Sequence, residues 1–265
     1  FGSFCSATAT VGDASTVAEQ IRSNPAFAVD EQTFVTEIIA GLDAYPAYYA
    51  HMGAANQAGP GPIDLSLPAL ASAEEIARRI KAGEWVVDLR HRRIYASDHV
   101  KGSLSFDVHG NAVTYLGWMI DWGTPITLLG AVGGPADWTS ADAPIGSYPR
   151  VTHAELAEAY AKDSGILMLD LRRDSEVEAG YVEDAKHVPL HQLRARMQEV
   201  IDWAGGSPVW AYCGSGFRAS IAASFLSNAG VDVIPVDDDF PNAEKAGLPV
   251  VIPAHGERLG EAYAD

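Results

Sequence analysis

The chain has 265 residues, of which 48% are apolar and 20% charged, which supplies real cores and excludes wholesale disorder. A formal net charge of −17 argues against nucleic acid and anionic membranes as partners, so a small anionic substrate must be drawn in by local groups. Cys5 and Cys213 lie far apart in unlike contexts, which argues against a structural disulfide and for a reducing, cytoplasmic compartment; nothing reads as a secretory leader or a membrane span.

Residues 1–62 are rich in Ala and in helix signals. Ser15 is placed to cap a helix to about Arg22. Asp30 is placed to cap Glu31–Ala40, where Phe34, Ile38 and Ile39 fall at helical spacing. A third helix is expected from Pro46, a residue suited to a first turn. Gly59-Pro60-Gly61-Pro62 then breaks the chain and reads as a boundary. Because the chain opens at Phe1 inside what reads as a loop, it is expected to be a fragment of a longer protein.

Residues 63–146 and 147–253 form a weak internal repeat. Trp85-Val86-Val87-Asp88-Leu89-Arg90 parallels Leu167-Met168-Leu169-Asp170-Leu171-Arg172. The helix expected at Ala73–Ala82 parallels one at His153–Ala161. Pro125-Ile126-Thr127-Leu128-Leu129 parallels Pro208–Tyr212, which sets Gly130 opposite Cys213. In 147–253 the elements alternate. Thr152 with Glu155 makes a capping box, and Ile166–Leu171 is a buried-strand run. A short helix at Ser175–Ala179, a strand near His187–Leu190 and a helix at Leu193–Trp203 follow. A strand to Cys213, a helix at 219–229 and a strand at Val233–Val236 complete the set. Such alternation gives a parallel sheet with helices on both faces, and ligands in these sheets bind at the carboxyl ends of strands. Residues 254–265 read as a solvated tail.

Cys213-Gly214-Ser215-Gly216-Phe217-Arg218 is the most informative stretch. A cysteine ends a buried strand, and a Gly-rich loop leads into a helix start. Loop N–H groups, the helix dipole and Arg218 should lower the thiol pKa and build an anion pocket around the sulfur. Gly214 and Gly216 supply permissive backbone angles. His187 and His191 could approach the rim, but capping or surface roles suit them better. Asp237-Asp238-Asp239 reads as a solvated turn rather than a cation site. His51 reads as a helix-surface or packing residue.

The loop resembles the C-x-x-G-x-R pattern of the rhodanese family. Asp170-Leu171-Arg172 is similar to its D-x-R, and Glu176–Val182 to its E-(F/Y)-x-x-G-H-I, with Val177 and Tyr181 as departures. Val188-Pro189 and Ala246-Gly247-Leu248-Pro249-Val250 complete the resemblance, which covers roughly 148–252. Asp238-Asp239 stand where the family usually has Gly-Gly. In the earlier module His99-Val100-Lys101-Gly102 resembles the family's G-H-I-x-G, and Gly133–Trp138 its G-G-F-x-A-W. That second motif begins three residues after Gly130, against the 25 residues from Cys213 to Asp238. About 22 residues, covering a loop, helix and fifth strand, are missing by that comparison. Residues 63–146 are thus expected to be a degenerate, cysteine-less rhodanese-like module.

Phe1–Ser6, Ser15–Gln20, Asn24-Pro25-Ala26, Tyr45–Met52 and Asn56–Pro60 resemble the C-terminal end of metallo-β-lactamase-fold domains fused to rhodanese modules, such as persulfide dioxygenase-rhodanese-like proteins. The family's H-x-H-x-D-H motif is missing. The resemblance implies no cofactor in this chain, and an Fe or Zn ion only in an absent N-terminal domain, the natural partner of this one.

The expected fold is therefore α/β, with a rhodanese-like parallel sheet preceded by the degenerate module and a helical remnant. The expected organisation is 1–62, 63–146, an active domain at 147–253, and the tail. The resemblance implies sulfur transfer from thiosulfate or a low-molecular-weight persulfide to a thiol, sulfite or cyanide through a Cys213 persulfide. Gly214, Ser215, Gly216 and Phe217 would form the substrate-binding loop. Arg218 would orient the donor's anionic group or brace the loop. Asp170 and Arg172 would support the second strand's exit, with Arg172 paired to Glu176. Two alternatives stand: a non-catalytic regulatory or interaction module, and a cysteine phosphatase or arsenate reductase. Four residues separate Cys213 from Arg218, one fewer than in cysteine phosphatases, and the smaller ring suits sulfur better than phosphate.

Overall fold

The computed structural model describes residues 30–40, 44–62, 65–66, 68–130 and 144–253. The expected helix from Ser15, Cys5, the Gly133–Trp138 motif and the tail lie outside these. Two compact units divide the chain, Phe1–Ala44 and Tyr45–Asp265. In the first, helix α1 (Glu31–Ala40) is capped as anticipated: Asp30 Oδ1 accepts from the Thr33 amide at 3.0 Å and Oδ2 from its hydroxyl at 2.6 Å.

The second unit opens with α2 (Tyr49–Ala58), three residues later than Pro46 suggested, because Ala47 and Tyr48 form only a turn. His51 stacks on Trp122, with centroids 4.9 Å apart. Helix α3 (Ala73–Lys81) starts on the Ser72 cap and leads into β1 (Trp85–Asp88). Then come α4 (Arg92–Ser97), β2 (His99–Val100), β3 (Leu104–Ser105), α5 (Ala112–Met119), β4 (Ile126–Leu129) and β5 (Ile145–Gly146). Strands β3, β1 and β4 lie side by side and parallel, in that order.

The next stretch repeats this pattern and completes it. Helix α6 (His153–Lys162) carries the capping box between Thr152 and Glu155. It is followed by β6 (Leu167–Asp170), α7 (Asp174–Glu178), β7 (Tyr181–Val182) and β8 (Lys186–His187). A 3-10 turn at Leu190–Gln192 replaces the end of the expected strand, and α8 (Met197–Ala204) starts late. Then come β9 (Val209–Tyr212), α9 (Phe217–Asn228), β10 (Val233–Pro235), α10 (Pro241–Lys245) and β11 (Val250–Val251). The parallel sheet runs β10-β9-β6-β8, and a Val151–Val236 bridge adds a fifth line at the β10 edge.

The internal repeat holds at atomic detail. Arg90 grips Asp88 at 2.7–3.0 Å and the Asp98 carbonyl at 2.8 Å. Arg172 grips Asp170 at 2.6–3.0 Å and the Gly180 carbonyl at 2.8 Å. Gly130 follows β4 as Cys213 follows β9. Among the described residues, the first sheet has no counterpart of α9 and β10.

One helix serves both sheets. From Arg218 to Ser224 every residue of α9 is buried, as is Leu226. An amphipathic surface helix buries one stripe; burial all round requires walls on both sides. One wall is β9 and β10. The other is the first module: Phe225 meets Trp85 and Phe106 edge-on, with centroids at 5.7 and 6.4 Å. The Ser105 amide donates to Ser224 Oγ at 3.1 Å, and the Ser105 and Ser220 hydroxyls lie 3.1 Å apart. A single core runs from Val87 and Phe106 through Ile221 to Leu169 and Val233. The small Ala and Ser residues of α9 let the second layer come close.

Among the described residues two histidines are buried away from water, His99 and His153. Neither His153 ring nitrogen has a hydrogen-bond partner, and the nearest Asp238 oxygen is 3.6 Å away. Burial pushes both pKa values down, against opposing contacts from the Tyr95 carbonyl and Asp238 respectively. The folded state therefore prefers both rings neutral. Their contribution to stability is complete above the unfolded histidine value of about 6.5 and is lost as pH falls through it. Thermal melts between about pH 7.5 and pH 5 should show a falling midpoint, partly flattened by His153→Leu. A midpoint constant across that window contradicts the assignment.

Candidate active site

The site is assembled at the carboxyl end of β9. Cys213 follows the strand directly and is 1% exposed. Gly216 caps α9 in the left-handed region at φ +83 and offers no side-chain cap, so the first helical N–H groups stay available to an anion at the loop. The helix begins at Phe217, two residues earlier than the sequence suggested, which puts Phe217 and Arg218 in its first turn. Of the loop residues, Ser215 is exposed, Gly214 half-buried and Gly216 buried.

Arg218 turns back across the loop. Its guanidinium meets Glu176 side-on, Nη1 to Oε2 at 2.5 Å and Nη2 to Oε1 at 2.6 Å. Glu176 also accepts from the Arg173 amide at 3.0 Å. Burial opposes the Arg218 charge, but the Glu176 hydrogen bonds and the nearby Cys213 raise its pKa above the ordinary value. Burial likewise opposes the Glu176 carboxylate, and Arg218 overcomes it and holds its pKa low. In this conformation the Arg218 guanidinium is held by Glu176 beside Gly214.

One expectation is corrected. Arg172 does not pair with the Glu176 carboxylate; it donates to the Glu176 backbone carbonyl at 3.2 Å while its charge rests on Asp170. The carboxylate is taken by Arg218, which the fold brings from 42 residues away. Phe240 lies against the Arg172 guanidinium, 3.6 Å from ring centroid to carbon, a cation–π contact the sequence did not reveal.

The acidic run is also corrected. The Asp237 side chain is 3% exposed and accepts from Arg92, Arg93 and Arg150 at 2.7–3.0 Å. Asp238 accepts from the His153 amide at the α6 start and from Asn242. Neither is a solvated turn residue.

The first module closes the other side. The Phe217 ring lies on Gly110 so closely that a Cβ there would sit 2.1 Å from it, and Tyr115 flanks it at 5.5 Å between centroids. A cleft beside the loop is lined by Tyr115 and Trp118 of α5 with Leu190, His191 and Arg218. His191 packs on Trp118 at 4.9 Å, so it reaches the rim; His187 instead contacts the Arg172 carbonyl at 2.9 Å.

This arrangement places a thiol under a helix N-terminus inside a short Cys-to-Arg loop. The same stretch matches a known family by sequence. Residues 152–246 form a rhodanese-like domain. A protein named sulfurtransferase from Allochromatium vinosum is 29% identical over 99 residues, 37% of this chain and 90% of its own length. An HTH-type transcriptional regulator of Mycobacterium tuberculosis is 30% identical over 103 residues, 38% of this chain but only 43% of that protein. The solved rhodanese-related protein of Thermoplasma volcanium covers 40% of this chain and all of its own, at 23% identity and a TM-score of 0.35. The rhodanese-like domain thus holds Cys213, Arg218 and Glu176, while Tyr115, Trp118 and Gly110 lie before it.

If the Glu176–Arg218 pair braces the loop, Glu176→Gln should destabilise the chain by about 1–3 kcal/mol, between the limits for exposed and buried pairs. Arg218→Lys should cost nearly as much, because an ammonium cannot span both carboxylate oxygens. Urea titration reads both; unchanged midpoints would remove the brace.

Proposed function

We propose that the protein is a rhodanese-type sulfurtransferase that moves sulfane sulfur from thiosulfate or a low-molecular-weight persulfide to a thiol, sulfite or cyanide. The observation that carries this reading is Cys213 at the end of β9, inside the short loop closed by Arg218 and leading into α9. The sulfurtransferase relative supports the class of reaction. The Cys213 thiolate attacks the outer sulfur of thiosulfate, an S–S bond forms, and sulfite leaves with the electron pair of the broken bond. The resulting Cys213 persulfide is anionic and suits the N–H groups of the loop and helix start. Cyanide or a thiolate then attacks the outer sulfur, and the Cys213 thiolate is released. The loop of Gly214, Ser215, Gly216 and Phe217 surrounds that terminal sulfur, with Asp170, Arg172 and Glu176 as its support.

The partners under this reading are a small sulfur donor and a thiol acceptor, with no role for nucleic acid or membrane. Among the described residues no helix is long and apolar enough to cross a membrane. A metallo-β-lactamase-fold domain, with its Fe or Zn, would be a neighbour in the parent protein, a reading supported by the text of residues 1–62.

One observation favours a second reading. Cys213 is almost fully buried and Arg218 is already paired with Glu176, as suits a non-catalytic interaction module. The two readings part on one assay. Cys213→Ser should reduce thiocyanate formation from thiosulfate and cyanide by at least about a thousandfold, as loss of a covalent nucleophile does. Cys5→Ser should leave it nearly intact. Activity that survives Cys213→Ser refutes the mechanism. No activity in the unaltered chain favours the interaction module, and a preference for p-nitrophenyl phosphate favours the phosphatase.

A further inference from the structure

Asp237 is one point where the nucleophile-free module meets the Cys213 loop. On one side, Arg92 Nε lies 2.7 Å from its Oδ1, and Arg93 Nε and Arg150 Nη1 lie 3.0 and 2.8 Å from its Oδ2. Arg92 and Arg93 open α4 of the first module. Arg92 is itself anchored, its amide donating to Asp107 Oδ2 at 3.1 Å. Burial opposes the Asp237 charge, and hydrogen bonds led by that of Arg92 overcome it, so its pKa lies below the ordinary carboxylate value.

On the other side, Asp237 presses on the loop. A Cβ at Gly216 would sit 2.5 Å from Asp237 Oδ1 and 2.6 Å from its Cα. Gly216 holds φ +83, the conformation that turns the chain from Cys213 into α9. The same segment grips the loop again three residues on, where the Phe240 amide donates to the Gly214 carbonyl at 3.0 Å. The Asp237 backbone is fixed in turn, its amide donating to the Val151 carbonyl at 2.8 Å. A buried carboxylate that loses its cations has to reach water, and the Gly216 turn is packed directly against it.

We propose that Asp237, clamped by Arg92 and Arg93, is a positioning residue for the Cys213 loop, so that sulfur transfer depends on the module that carries no nucleophile. The inference rests on the sulfurtransferase reading for its activity arm. The clamp keeps the Gly216 turn against α9 and Cys213 at the helix start. Its loss changes how often the thiol is in place more than how well thiosulfate binds.

The experiment uses the full chain with Asp237→Asn, Arg92→Gln, Arg92→Lys and the Asp237→Asn/Arg92→Gln double variant. Thiosulfate kinetics, melting temperature and hydrogen exchange of the 214–218 amides are measured on each. Asp237→Asn should lower kcat about ten- to a hundredfold with KM near that of the unaltered chain, the size expected of a misplaced reacting group. Exchange at 214–218 should quicken while 167–170 and 209–212 stay protected. Arg92→Gln should act in the same direction, Arg92→Lys should recover part of the loss, and the double variant should be no worse than Asp237→Asn. If Asp237→Asn does not fold, Arg92→Gln carries the test, since that side chain is 22% exposed. Folded variants with unchanged kcat and loop exchange overturn the proposal, as do losses that merely follow the melting temperature. If the unaltered chain transfers no sulfur, the functional reading fails, and loop exchange alone decides the clamp.

Discussion

Everything in the second unit depends on α9 being walled on both faces. The helix carries Arg218 in its first turn and takes its direction from Gly216, so its seating sets the loop around Cys213. Its sequence has almost no polar face to offer water, only Ala, Ser and apolar residues between Arg218 and Leu226. That composition is stable only between two layers. The first module supplies the second layer because its own sheet, among the described residues, ends at β4 without the helix and strand that complete its twin. The strip of Trp85, Ser105 and Phe106 that would face a helix of its own receives α9 instead.

Charge follows the same logic. A chain with a net charge of −17 holds its active loop with cations. Arg218 closes it against Glu176, Arg172 fixes the neighbouring strand exit through Asp170, and three arginines converge on Asp237 behind Gly216. Each carboxylate is buried or half-buried with its partner, which limits screening by salt and keeps the geometry defined. In this conformation the arginine that follows the Cys213 loop is paired with Glu176. The cleft whose aromatic side is Tyr115 and Trp118 reaches Arg218 at the start of α9.

Much of this was legible in the sequence for physical reasons. Local rules placed the Asp30 and Thr152 caps, because a cap is decided within four residues. The repeat of Asp88-Leu89-Arg90 in Asp170-Leu171-Arg172 announced paired strand exits, and both appear with matching hydrogen bonds. The strand–Cys–Gly loop–helix order located the thiol. What stayed hidden was long-range pairing. Glu176 was matched to Arg172, four residues away, when its partner is Arg218. Asp237 looked like part of a solvated acidic turn because nothing local shows that arginines 145, 144 and 87 residues away meet there. The sharing of α9 had one sequence signal, a helix with no polar stripe, which reads equally well as an ordinary core helix.

The central claim is that Cys213 accepts a sulfur atom and passes it on. Mass spectrometry of the full chain after brief exposure to thiosulfate tests it most directly. The account predicts one added sulfur on the peptide that contains Cys213, removed by cyanide with release of thiocyanate and undetectable in Cys213→Ser. An unmodified Cys213 after such treatment, in a chain that melts cooperatively, would contradict it.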